Sequence, residues 1–224
     1  MSVILSPHHS ATRESARFQF LLRGYAGSSE PIWEHDVGEA PLGEQRAVRL
    51  RDLDLPDPPE RGGILEVHAI RLDEDPAGIG FNGMWIDARG PQGGGYIIPT
   101  VPIRGQRKKV RRDDMQVVPG VIASRDVESE LLLLNVVEEP VEVTLIVSSQ
   151  DGVTAESAPF VVEPWSAWHD DLSRVVPRAR RLLADGDGVG SLIVRSSGRI
   201  LPYFGFRQGD GPIVCLDHTA PVFA

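Results

Sequence analysis

Residues 141–148 read VEVTLIVS, and Gln150-Asp151-Gly152 follows at once. Val141, Val143, Leu145 and Val147 share one parity; Glu142, Thr144 and Ile146 share the other. A period of two puts each parity on one face of an extended strand. Asp-Gly is a strong short-range signal for a hairpin turn. Upstream, residues 130–135 (ELLLLN) read as a buried strand, and residues 158–162 follow the turn as another. Residues 177–183 (PRARRLL) predict a turn or two of helix with Pro177 in its first position. Residues 191–195 (SLIVR), 200–206 and 213–216 complete a run of about seven short strands, the pattern of a β-sandwich.

The first half repeats the theme less cleanly. Residues 17–25 (RFQFLLRGY), 30–38 (EPIWEHDVG), 45–50 (QRAVRL) and 64–72 (ILEVHAIRL) read as strands. Between the last two, RDLDLPDPPERGG must be a loop, because proline removes ladder donors and fixes φ. Residues 84–102 (MWIDARGPQGGGYIIPTVP) align without a gap on residues 203–221 (YFGFRQGDGPIVCLDHTAP). Gly90, Thr100 and Pro102 fall on Gly209, Thr219 and Pro221, an offset of 119 (219 − 100). Both stretches read as aromatic strand, Gly-rich turn, apolar strand and closing T-x-P. Similarity at a fixed offset marks duplicated units.

These readings predict an all-β fold of two related antiparallel β-sandwich modules in tandem, with close packing as one unit left open. The expected divisions are a tail at 1–15, a first module at 16–103, a basic connector at 104–120 and a second module at 121–224. The connector carries the composition break: six cations lie in nine positions between Arg104 and Arg112.

Composition narrows the function classes. A hydrophobic fraction of 41% and a charged fraction of 25% describe a globular chain. The net charge of −9 disfavours whole-surface binding to nucleic acid. One cysteine, Cys215, excludes an internal disulfide framework and reads as a small buried hydrophobe. No apolar run reaches the ~20 residues of a membrane span, and no secretory leader is visible, so the expected location is cytoplasmic.

Residues 130–207 carry an ordered set of strand and turn features: Asn135, the turn at Glu138-Glu139-Pro140, VEVTLIV, Ser149 and Asp151, the V-E-P of 162–164, His169, Asp171-Leu172, and VGSLIVRSSGRI. This order resembles the sensory rhodopsin transducer family and its relatives among small bacterial β-sandwich modules. The resemblance implies a non-catalytic, oligomerising sandwich that acts through protein contacts. The chain departs from the family in its length and its basic connector.

Candidate chemistry is sparse. His169 and Asp171, with Asp217 and His218, supply ligand types that suit a divalent metal, or a metal-dependent enzyme. Trp33-Glu34-His35-Asp36 offers an imidazole between carboxylates, but adjacent strand residues face opposite ways. Trp165 and Trp168, in an expected loop, would suit sugar stacking, as in a carbohydrate-binding module, or a protein hot spot. Arg107, Lys108, Lys109 and Arg111 could grip an acidic partner; no aromatic residue interleaves them for base stacking. Gly93-Gly94-Gly95 lacks phosphate-loop spacing and reads as a hairpin tip. No cofactor fingerprint appears, and no cofactor is expected. The leading expectation is a non-enzymatic oligomeric adaptor or scaffold whose partner is itself or an acidic protein.

Overall fold

The computed structural model describes residues 2–5, 17–41, 44, 46–57, 63–72, 84–89, 95–99, 114–184, 187–209, 211 and 213–218. The first strands are β1 (Ser2–Leu5), β2 (Arg17–Tyr25), β3 (Trp33–Pro41) and β4 (Arg46–Arg49). After a short 3-10 turn at Leu50–Asp52 come β5 (Ile64–Arg71), β6 (Met84–Arg89) and β7 (Gly95–Pro99). Next are β8 (Asp114–Ile122), β9 (Val127–Asn135), β10 (Val141–Ser148), β11 (Thr154–Glu156), β12 (Phe160–Val162) and β13 (Ser166–Asp171). Two short helices, α1 (Leu172–Val175) and α2 (Ala179–Leu183), precede β14 (Val189–Ser196), β15 (Leu201–Gln208) and β16 (Ile213–His218).

Alternation in sequence becomes alternation in burial. In β10, Val141, Val143, Leu145 and Val147 are buried while Glu142 is exposed. In β2, Phe18, Phe20 and Leu22 point inward and the residues between them are partly exposed. Gly24 sits under the Trp33 ring; a Cβ there would lie 2.1 Å from the indole nitrogen, so β2 needs glycine at this crossing. The Asp151-Gly152 turn forms as expected, with Gly152 at φ 85 and Ser149 N–H bonding to Val153 O at 2.9 Å.

The chain makes two facing pairs of antiparallel sheets. The N-terminal half pairs strands in the order β4-β1-β6-β7 and β3-β2-β5. The C-terminal half pairs them as β13-β9-β15-β16, facing β11-β10-β14-β8 with β12 also on β10. Five strands hold like places in the two pairing orders: β1 and β9, β2 and β10, β5 and β14, β6 and β15, and β7 and β16. Among the described residues the second set has two strands more: β8, laid along the outer edge of β14, and a second strand on β10, where β11 and β12 both pair while β2 has β3 alone. The sequence echo falls on the two matching hairpins, but their registers differ by one residue. Trp85 pairs with Pro99, whereas Phe204, 119 residues on, pairs with Asp217. A bulge between Phe206 and Arg207 accompanies that slip.

Each sandwich has its own core. One joins Leu5, Phe18, Phe20, Leu22 and Ala40, with Val48, Leu65 and Val67 against them. The other is larger and runs from Val118 and Leu131 through Leu145 and Val147 to Leu183, Leu192 and Ile200. A third, small cluster bridges the halves: Tyr25 and Ile64 meet Val136 and Trp165. Beside it, β7 and β16 run close together, so the two four-stranded sheets meet at these strands.

Two expected boundaries move. The polar character of residues 1–15 predicts a tail, yet Ser2–Leu5 is a strand between β4 and β6, and Leu5 is fully buried. The apolar SVIL was too short to stand out beside the polar residues that follow it. The connector assigned to 104–120 gives up residues 114–120 to β8, because MQVV supplies alternating residues that sheet pairing with β14 can bury.

Candidate functional site

One concave feature among the described residues is a shallow depression of about 270 Å³ on the outer face of the β13-β9-β15-β16 sheet. Glu130, His169, Asp170, Asp171, Arg174 and Arg207 line it. Strand register explains the grouping. Leu131 and Leu133 of β9 face the core, so Glu128 and Glu130 face outward. Asp171 lies opposite Glu130 on one flank, and Arg207 lies opposite Glu128 on the other.

The charges in the depression are paired. His169 Nε2 donates to Glu130 Oε1, which is almost wholly buried. Arg207 reaches Asp171 Oδ1 at 2.6 Å and approaches Glu130 Oε2 at 3.9 Å. Arg174 meets Asp170 at 3.1 Å, one helical turn away. Just beyond, buried Glu128 accepts from Ser173 N–H at 2.8 Å and from Arg180 at 2.8 and 3.2 Å. The hydrogen bond to Glu130 raises the His169 pKa above its ordinary value; burial opposes this, and the nearby acids add to the rise.

A histidine beside a carboxylate can move a proton. Here the same contacts connect β13 to β9, β9 to β15 and β9 to the helices, so the cluster works as a clasp around an edge strand. Sequence reasoning named His169 and Asp171 but missed Glu128, Glu130, Arg180 and Arg207. The available signal was two acids two residues apart, Glu128 and Glu130, at the head of an apolar strand.

The four residues of the expected metal set lie on two different strands. His169 and Asp171 lie on β13, at one edge of the sheet, and Asp217 and His218 on β16, at the other. Two strands intervene, about 14 Å at the usual spacing. Among the described residues no group of three or more His, Cys, Asp and Glu is arranged to hold a metal.

The two tryptophans do not form an exposed stacking pair. Trp165 is 5% exposed and sits in the cluster between the halves, its ring centroid 4.8 Å from that of Tyr25. Its φ of 46 belongs to the turn between β12 and β13, and its carbonyl accepts from Gly27 N–H. Trp168 packs on the larger core and stacks on Phe160 at 4.5 Å. Around His35 the neighbours diverge as expected: Glu34 pairs with Arg23 at 2.6 Å, and Asp36 accepts from Gln19. Tyr25, donating to Glu66 at 2.6 Å, has its pKa pushed up to about 12, mainly by burial. The basic residues Arg107, Lys108, Lys109 and Arg111, and the glycines Gly93 and Gly94, lie outside the described residues. Cys215 lies on β16, opposite Phe206.

No family model matches this sequence, and neither does any curated protein. Among solved structures it is similar to one of the infectious bursal disease virus Gx strain, at 12% identity and a TM-score of 0.16. It is also similar to one of T=1 particles derived from infectious bursal virus, at 12% identity and a TM-score of 0.15. Each match covers 92% of this chain and 53% of the other, so the chain spans about half the length of those it matches. Among the described residues no helix is long and apolar enough to cross a membrane.

Proposed function

We propose that this chain is a tandem pair of related β-sandwich modules that acts without catalysis, as a homo-oligomeric adaptor or scaffold. The repeated strand-pairing scheme supports duplication of one module. The pairing of charges in the depression supports a structural clasp there. The oligomeric reading rests on one observation: two sheets end, among the described residues, in strands that carry exposed apolar side chains. On β8 these are Met115 and Val117; at β5 they are Ile70 and Leu72. Bare strand edges of this kind pair with other chains unless they are guarded. The chain's lone cysteine suits a cytoplasmic location. Arg107, Lys108, Lys109 and Arg111 give the alternative partner, an acidic protein surface.

Native mass spectrometry of the untagged protein tests the reading. A mass at two or more times 24.5 kDa supports it. A single species at 24.5 kDa across a dilution series would sink the homo-oligomeric part.

A further inference from the structure

We infer that the outer edge of β5 is an interface, and that a second copy of this chain fills it with its own β5. The inference rests on the oligomeric reading above and names its surface. Within the repeated scheme β5 corresponds to β14, and the outer edge of β14 is occupied by β8. Among the described residues no strand occupies that edge of β5. The C-terminal sandwich thus shows that this position in the scheme accepts an antiparallel strand.

Backbone direction fixes which groups are offered. Leu72 N–H bonds inward to Arg17 O on β2, and Gly24, opposite Leu65, turns its carbonyl to Ile32 on the far side. In an antiparallel ladder these orientations alternate. Leu65, Val67 and Ala69 therefore turn their N–H and C=O groups to the open edge.

Side chains then select the register. When Val67 is placed opposite its own copy, Leu65 falls opposite Ala69, Ile64 opposite Ile70, and Glu66 opposite His68. Every pair is apolar with apolar or acid with imidazole, and two-fold symmetry makes each occur twice except the Val67 pair, which lies on the axis. Shifting by two puts Glu66 opposite Ile70 or opposite its own copy and loses this match. The chosen register forms on the order of six backbone hydrogen bonds and joins two three-stranded sheets into one. The β8 edge is interrupted near its end, where Pro119 lacks a donor and Gly120 has φ 134, so β5 offers the more continuous ladder.

The test is the full-length chain in analytical ultracentrifugation, as wild type, His68→Glu and His68→Lys, with circular dichroism to confirm folding. Like charges opposite Glu66 should weaken the dimer roughly tenfold in His68→Glu, whereas His68→Lys should keep it. An oligomeric wild type that neither variant alters would overturn this interface and leave the oligomeric reading standing. A monomeric wild type would overturn both. Should His68→Glu fail to fold, Val67→Cys in a Cys215→Ser background decides. Directly opposed residues about 5.5 Å apart should oxidise to a covalent dimer, and a chain that stays monomeric on oxidation refutes the pairing.

Discussion

His169, on the edge strand β13, donates from Nε2 to the buried carboxylate of Glu130 on β9. That hydrogen bond is the main reason the imidazole pKa lies above 6.5. The folded state therefore binds the proton more tightly than the unfolded chain. The stabilisation is complete below the unfolded value near 6.5 and is lost as pH rises through the higher folded value. The His169 side chain is 52% exposed, so screening limits the effect to about 0.5 kcal/mol. Urea midpoints of wild type should fall relative to His169→Gln as the buffer goes from mildly acidic to mildly alkaline. Parallel curves would show that this pair does not couple to folding.

Glu128 holds the helices more firmly than His169 holds β13. Its carboxylate is buried and accepts from both Ser173 N–H and Arg180. Glu128→Ala leaves a partly buried backbone donor and a guanidinium without their acceptor. The expected loss is about 2 kcal/mol in denaturant melts. A double-mutant cycle with Arg180→Met separates the ion pair from the Ser173 bond; full additivity would assign the loss to the latter.

How far residues announced this arrangement depends on whether local pattern or distant pairing set it. Val141, Val143, Leu145 and Val147 announced β10, because a half-buried strand writes its period into the sequence. Asp151-Gly152 announced its turn, because few residues tolerate that backbone. Ser2–Leu5 did not announce β1: four residues carry too little period, and β4 and β6 supply the pairing. Glu130 looked like the start of a buried run; only the register with Asp171 and Gly205 shows it facing outward toward His169. Trp165 looked like a loop residue because the surface that buries it, Tyr25 and Ile64, lies more than a hundred residues away in sequence. The hairpin echo was legible because both copies keep the aromatic strand and the turn; the one-residue slip between them was not.

Asn135 makes three hydrogen bonds from a fully buried position. Its amide donates to Glu139 O at 2.9 Å and Val162 O at 3.0 Å, and its Oδ1 accepts from Val137 N–H. It thus closes the turn after β9 and ties it to β12. Asn135→Leu fits the volume but satisfies none of the three. The expected cost is about 3 kcal/mol, read as a lower thermal midpoint, with Asn135→Asp intermediate. Equal stability of Asn135→Leu and wild type would mean that water replaces the amide without loss.

Trp165 and Trp168 should separate in a mutational test because they serve different cores. Trp165→Ala empties the cluster that joins Tyr25 and Ile64 to Val136 and should cost about 3–5 kcal/mol. Trp168 is only partly buried and stacks on Phe160 at the rim of the larger core, so Trp168→Ala should cost less, about 2 kcal/mol. Only the first change removes contacts between the two halves. Calorimetry of Trp165→Ala should therefore show the single transition splitting in two, while Trp168→Ala keeps one transition at a lower midpoint. If both variants melt as one unit with equal losses, Trp165 is not the wedge that couples the sandwiches.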